Sequence, residues 1–126
     1  MPPTPGEAAF VLVGGPLLPA GLLPLLRDGF TIGVALGDVP FAPSVVFDGP
    51  PPSAVRWALA QGCRPVCLVG ADVRGTDGAD LLVLLARGNV WLWNYRGQTF
   101  ERMVRKQRET VTSNQWPCRE GLLPGY

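Results

Sequence analysis

The sequence predicts one α/β domain with a mostly parallel sheet of about five strands. Short apolar runs without polar alternation recur along the chain, which is typical of strands buried on both faces. Helix-like segments separate several of these runs, as parallel neighbours require. The chain of 126 residues is 47% hydrophobic and only 17% charged. That composition argues against disorder and supports a single buried core.

The first part of the chain begins with a proline-rich segment and then gives strand and helix signals. We predict an arm, a strand, a helix and a second strand at residues 1–7, 8–13, 17–26 and 30–36. The arm has three prolines and no apolar periodicity, so we expect it to be flexible. Leucines on one side support the helix, whose prolines must lie near its start or kink it. The single domain is expected to begin at residue 8 and end at residue 111.

The middle of the chain predicts a third strand, a second helix and a fourth strand, at residues 44–47, 54–61 and 66–69. Ser53 is a plausible N-cap of the helix, because its hydroxyl can accept a hydrogen bond from a free backbone N–H. Gly62 is a plausible residue just beyond the helix C-terminus, where a left-handed conformation is common. We consider this helix the clearest in the chain.

The last part of the chain leaves one assignment open. Residues 81–87 fit either a helix or a strand. Residues 90–95 are rich in aromatic side chains and predict a strand. Residues 99–111 predict a basic amphipathic helix, with Phe100 and Val111 among its inward positions. Residues 112–126 predict an irregular tail.

Glycine or aspartate follows each of the four strands predicted first. In a parallel sheet the carboxyl ends of the strands share one edge, where ligands bind near helix N-termini. The fold is therefore expected to be Rossmann-like with three layers, and a nucleotide or nucleotide-sugar is the expected ligand. The candidate binding residues are Gly14, Gly15, Asp38, Asp48, Gly70 and Asp72. Asp48 and Asp72 are also candidate magnesium ligands. The alternative is that these residues are ordinary turn formers.

The strand ends also resemble a known family. The segment Val11-Leu12-Val13-Gly14-Gly15-Pro16-Leu17 is similar to the start of the motility-associated-factor and 6-hydroxymethylpterin diphosphokinase-like proteins, which have phage-encoded and sialyltransferase-like relatives. The later strand ends at Asp48 and Asp72 also match, so the resemblance covers Phe10 to Asp72. It implies a Rossmann-like domain for a nucleotide-activated donor. Leu17 stands where the family has Ser, which implies a reduced relative of the transferases.

Two further groups of residues have a structural and a functional interpretation. Arg102, Arg105 and Lys106 are candidate phosphate contacts, which leaves nucleic-acid binding open, but such a helix is commonly a solvated face. Trp91, Trp93 and Tyr95 alternate along one strand, so they share one face. That face packs in the core, or forms an interface in a homo-oligomer.

The composition narrows the classes of function. The chain has no His, which excludes Ser-His and Cys-His catalytic pairs. Cys63, Cys67 and Cys118 are expected to be reduced thiols. No apolar run approaches the length of a membrane span and no export signal is visible, so a cytoplasmic protein is expected, or a virion-associated one if it is phage-encoded. Whether the chain is an enzyme stays open; the alternative is a non-enzymatic assembly subunit.

Overall fold

The computed structural model describes residues 3–14, 21–37, 39–71, 75, 78–86, 89–94, 96, 98–104 and 107–112. These residues form ten elements in an α/β arrangement. In chain order they are β1 Ala9–Val13, α1 Leu23–Asp28, β2 Phe30–Val34, β3 Val45–Phe47, α2 Pro51–Ala60, β4 Val66–Val69, α3 Gly78–Ala86, β5 Val90–Asn94, β6 Thr99–Val104 and β7 Gln107–Thr112.

All seven strands belong to one sheet, in the order β3-β2-β1-β4-β5-β6-β7. The strands from β1 to β5 pair in parallel, which confirms the predicted direction of the first part of the sheet. The strands β6 and β7 pair antiparallel and extend the sheet beyond β5. The chain thus builds the sheet outward in both directions from β1.

The alternation of side chains along the strands separates two apolar clusters on opposite faces of the sheet. One cluster packs the helices α2 and α3 against strand residues such as Val11, Ile32 and Leu68. The other cluster packs two leucines against Phe10, Leu12 and Trp91 of the strands. These leucines are Leu22, which directly precedes α1, and Leu26 within α1. Because both faces of the central strands are covered, their residues are apolar without alternation.

The helix α2 confirms one predicted end and corrects the other. Gly62 has φ +87°, and the amide of Cys63 donates to the Ala58 carbonyl while that of Gly62 donates to the Leu59 carbonyl. These two hydrogen bonds form the Schellman motif, which a glycine directly after a helix permits. The helix begins at Pro51 and no side chain caps it, so the prediction of Ser53 as the N-cap is wrong. Proline needs no N–H partner in the first turn, which lets the helix begin earlier.

The predicted helix at residues 99–111 is wrong, because the structure has the hairpin of β6 and β7 there. Phe100 lies opposite Val111 in the ladder, and Arg102 lies opposite Glu109. These apolar residues fit a helical period and a strand alternation alike, whereas the β-branched residues of the segment favour the strand. Pairing with β5 also satisfies backbone groups that an open edge would leave exposed. About five strands were expected, and the described residues form seven.

The remaining elements agree with the expectations in part. The helix α1 is shorter than the predicted one, and residues 15–20 lie outside the described residues. The open segment at 81–87 is resolved as the helix α3, which begins at Gly78. Cys63 and Cys67 are both buried, while Cys118 and residues 113–126 lie outside the described part. Residues of the predicted arm contact the loop after α2, through a bond from the Gly6 amide to the Gly62 carbonyl of 2.7 Å.

Candidate functional site

The candidate site is the edge of the sheet at which β1, β2, β3 and β4 end, which we call the carboxyl edge. Because the four strands are parallel, the residues that follow them lie on this one side. Among the predicted residues, Gly14 follows β1, Asp48 follows β3 and Gly70 follows β4. Gly15, Asp38 and Asp72 lie outside the described residues, so their roles stay predictions.

Gly14 joins the ends of the two neighbouring strands β1 and β2. Its amide donates to the Val34 carbonyl at 3.2 Å, and its carbonyl accepts from the Gly37 amide at 2.9 Å. Its φ of +67° is a left-handed conformation, and no described atom lies within 4 Å of the position that a Cβ would take. Gly14 therefore leaves open space at the edge, while both of its backbone polar groups are used within the protein.

Gly70 occupies the matching position at the end of β4. Its φ is +86°, so it too has a left-handed backbone. The strands β1 and β4 are direct neighbours, and the pairing of Leu12 with Val69 places Gly70 one residue out of register with Gly14 along the edge. At this point the order of the sheet reverses, because β2 and β3 lie on one side of β1 whereas β4 and β5 lie on the other. Open sheets of this type bind ligands at such a reversal.

Asp48 is an exposed carboxylate at the end of β3, which is one outer strand of the sheet. Two strand spacings of about 4.8 Å separate β3 from β1, so Asp48 lies about 10 Å along the edge from Gly14. Three spacings, about 14 Å, separate β3 from β4, the strand that precedes Asp72. A magnesium site shared by Asp48 and Asp72 would require the chain after β4 to turn back across this distance. The magnesium assignment stays a prediction.

A pocket of about 460 Å³ opens beside the end of β2, and no sequence pattern predicts it. Most of its wall comes from the connection between β2 and β3, and the wall exposes nearly as much polar as apolar surface. The lining residues are Ala35, Leu36, Gly37, Val39, Phe41, Pro43 and Val46. Ala35 has a left-handed φ of +47°, an uncommon conformation for a residue with a side chain. Through the bond from Gly37 to Gly14, the pocket adjoins the end of β1.

Thr31 and Ser44 hold the end of this connection that leads into β3. The Thr31 amide donates to the Ser44 hydroxyl at 3.0 Å, and the Ser44 amide donates to the Thr31 hydroxyl at 2.9 Å. Thr31 is buried on β2, and Ser44 directly precedes β3. The reciprocal pair continues the pairing of β2 and β3 by one residue, at the amino ends of these parallel strands. Sequence reasoning missed it, because a hydroxyl before a strand predicts no particular partner.

The structure places the basic residue Arg102 in an internal ion pair. Its guanidinium contacts the Glu109 carboxylate at 2.8 Å and 2.9 Å and lies over the Trp91 ring, 4.7 Å from the centroid. The Arg102 side chain is only 3% exposed. Arg105 and Lys106 lie outside the described residues. Phosphate contact by these three residues stays a prediction, although the helix on which it was based does not form.

Trp91 and Trp93 share one face of β5, as their alternation predicts, and both are buried within the chain's own core. Trp93 packs edge-on against Phe100, with ring centroids 4.7 Å apart. Tyr95 lies outside the described residues. A homo-oligomer through these three aromatic residues stays a prediction, since the structure contains a single chain.

Among the described residues, no group of three or more acidic, cysteine or histidine side chains could hold a metal ion. None of the helices found in those same ranges has the length and apolar character needed to cross a membrane.

Comparisons with protein families, with curated proteins and with solved structures found no match to this chain. The resemblance of residues 10–72 to the diphosphokinase-like proteins therefore stays a prediction.

Proposed function

We propose that this chain is a Rossmann-like protein with three layers that binds a nucleotide or nucleotide-sugar at the carboxyl edge, between β1 and β4. The observation that carries the proposal is the reversal of strand order at Gly14 and Gly70, each with a left-handed backbone. Ligands of doubly wound sheets bind at this kind of reversal, where glycine lets the ligand approach the backbone closely.

Gly14 would contribute space to the binding of a phosphate group. Its own amide already donates to Val34, so it has no N–H left to offer a ligand oxygen. Among the residues that the structure describes, no atom lies within 4 Å of the position that a Cβ of Gly14 would take, so none of their side chains would obstruct a phosphate at the end of β1. Phosphate donors would come from the backbone that follows Gly14, at the position of Gly15 in the sequence.

Asp48 and the pocket beside β2 supply the other two interactions that a nucleotide needs. An exposed carboxylate accepts hydrogen bonds from the hydroxyls of a ribose or another sugar. The pocket volume of about 460 Å³ falls within the range of small-molecule sites, and the apolar side chains among its lining residues would contact a flat ring beside polar backbone atoms. The pocket and Asp48 lie on the same side of Gly14, toward β2 and β3.

The test is the thermal stability of the whole chain with a panel of nucleoside phosphates and nucleotide-sugars, with and without magnesium. A ligand that binds only the folded state at about 100 times its Kd stabilises it by about 2.7 kcal/mol. We expect a rise in Tm with some nucleotides, and a smaller rise for Asp48→Asn.

The matched control is Asp28→Asn, because Asp28 is an exposed aspartate at the opposite edge, where α1 ends two residues before β2 begins. We expect this variant to keep the full ligand-induced rise. If the panel gives no rise in the native protein, or if both aspartate variants lose the rise equally, the proposed site is wrong.

A further inference from the structure

Another pocket, of about 270 Å³, lies at the edge of the sheet where β1 and β2 begin. We call it the amino-edge pocket. Its wall is largely apolar and includes Phe10 of β1 with Pro24 and Leu25 of α1. Phe10 is almost completely buried, so its ring forms the inner wall. The pocket lies at the opposite edge from Gly14 and Asp48, and the function proposed above does not use it.

Two carboxylates, those of Glu7 and Asp28, line the same pocket. Ala9 pairs with Phe30 where β1 and β2 begin, and each acidic residue lies two positions before one of these partners. Neighbouring strands are about 4.8 Å apart, so the two segments bring both carboxylates to one end of the strand pair. The Thr4 amide donates to Oε2 of Glu7 at 3.0 Å, which holds this side chain in place. The pocket thus combines an apolar wall with two negative charges.

Neither carboxylate has a cationic partner within the part of the chain that the structure describes. By contrast, Glu101 and Glu109 each contact an arginine of their own hairpin. The charges of Glu7 and Asp28 are therefore left available to a ligand. They would repel an anion such as a nucleotide phosphate and attract a cation, because the charge of the site must complement that of the ligand.

The apolar wall favours an organic cation over a metal ion. A divalent cation takes six or more oxygen ligands, and no third acidic or cysteine side chain joins the two carboxylates among the described residues. A hydrated ion would also gain nothing from Phe10 and Leu25. An ammonium group on an apolar body would contact the carboxylates and the wall at once. The volume lies just below the usual range of about 300–1,000 Å³ for ligand pockets, so the ligand must be small.

We propose that the amino-edge pocket binds a small amphipathic amine, with its ammonium group at Glu7 and Asp28 and its apolar body against Phe10 and Leu25. The ammonium donates charge-assisted hydrogen bonds to both carboxylates. This site is independent of the nucleotide site, because it lies at the other edge of the sheet and its ligand has the opposite charge.

The experiment is a titration of the full chain with benzylamine, followed by the NMR chemical shifts of the backbone amides. We expect the amides of Ala8, Leu25 and Gly29 to shift and to saturate with a Kd of about 1 mM, since so small a ligand binds weakly. Benzyl alcohol has the ring without the charge, and methylamine has the charge without the ring. Each should bind at least about threefold more weakly than benzylamine, because it makes only one of the two kinds of contact.

Asp28→Asn and Glu7→Gln should each raise the benzylamine Kd by about two- to fivefold, as the loss of an exposed ion pair predicts. Both replacements keep the shape of the side chain, and the amide oxygen of the Glu7→Gln variant can still accept from Thr4. Asp80→Asn is the matched control, since Asp80 is an exposed aspartate on α3, outside the pocket. It should leave the Kd unchanged. No saturable shift at these amides up to about 20 mM benzylamine, equally tight binding of benzyl alcohol, or an equal rise in Kd for Asp80→Asn would overturn the proposal.

Discussion

Arg102 and Glu109 form an ion pair across the β6–β7 hairpin, with the Arg102 guanidinium stacked on the ring of Trp91. The two residues are direct partners in the ladder, so the strand register itself brings the charges together. The guanidinium is almost completely buried and the carboxylate is 19% exposed. The pair replaces the hydration that Arg102 loses, and the Trp91 face provides a further favourable contact for the cation.

We expect Glu109→Gln to destabilise the fold by about 3 kcal/mol, because it leaves the Arg102 charge buried with a weaker acceptor. The double variant Arg102→Met with Glu109→Leu should recover much of this loss, since apolar side chains can replace a buried pair. The measurement is the free energy of unfolding in urea. Arg108→Met is the control: its partner Glu101 is 3.8 Å away and Arg108 is exposed, so the loss should stay below about 1 kcal/mol. Equal losses for Glu109→Gln and Arg108→Met would contradict the structure.

The same hairpin shows why part of the fold was predicted incorrectly. The parallel strands were predictable because burial on both faces leaves a continuous apolar run, as in the residues of β1 and β4. Residues 99–111 have a mixed pattern, and their helical period competes with the strand alternation of Phe100, Arg102, Glu109 and Val111. What decides the outcome is pairing with the open edge of β5, a tertiary interaction that no local pattern contains.

For the candidate site, the sequence predicted which strand ends lie on one edge of the sheet, but not the pocket beside them. The direction of β1 to β4 places Gly14, Asp48 and Gly70 on one edge, and this followed from the strand pattern alone. The pocket beside β2 was not predictable, because it depends on how the loop after Val34 folds back. The reciprocal bonds of Thr31 and Ser44, which lie 13 positions apart in the sequence, hold the end of this loop that leads into β3.

Replacement of Gly14, the left-handed glycine after β1, tests whether this residue serves only the backbone conformation or also ligand binding. Gly14→Ala should destabilise the fold by about 1–2 kcal/mol, since the left-handed backbone is costly for a residue with a Cβ. Gly6→Ala is the matched control, because Gly6 has φ +85° and equally open surroundings but lies away from the carboxyl edge. Both variants should lose similar Tm, while only Gly14→Ala should also reduce a nucleotide-induced rise in Tm. Equal ligand responses would mean that Gly14 serves the backbone alone.

The buried thiol of Cys63 predicts a loss of stability in alkaline solution. Burial raises the pKa of the Cys63 thiol above its ordinary value, and the nearby Glu7 carboxylate raises this pKa further. Because the pKa of the Cys63 thiol is higher in the folded state than in the unfolded state, its contribution to the free energy of unfolding is fully present below the unfolded-state pKa. It is lost as the pH rises from the unfolded pKa through the folded pKa, since the unfolded thiol ionises first.

We therefore expect the native chain to lose more unfolding free energy than Cys63→Ala between neutral pH and pH values above about 9. Glu7→Gln should show an intermediate loss, because it removes only the smaller of the two causes. The measurement is urea unfolding at a series of pH values. Parallel profiles of unfolding free energy against pH for the native chain and Cys63→Ala would show that this thiol does not contribute to the pH dependence of stability.

Two serine-to-alanine variants test which serine contributes to stability: Ser44, which bonds Thr31 in the structure, or Ser53, which the sequence predicts as a helix N-cap. Ser44→Ala removes the hydroxyl that accepts from the Thr31 amide, so it should cost about 1 kcal/mol and increase amide exchange at Thr31 and in the loop that lines the pocket. Ser53→Ala should cost little, because no side chain caps α2 and alanine favours a helix. Hydrogen exchange and urea unfolding measure both effects. If Ser53 were the N-cap that its sequence position indicates, its replacement would instead cost about 1 kcal/mol, and the order of the two variants would be lost or reversed.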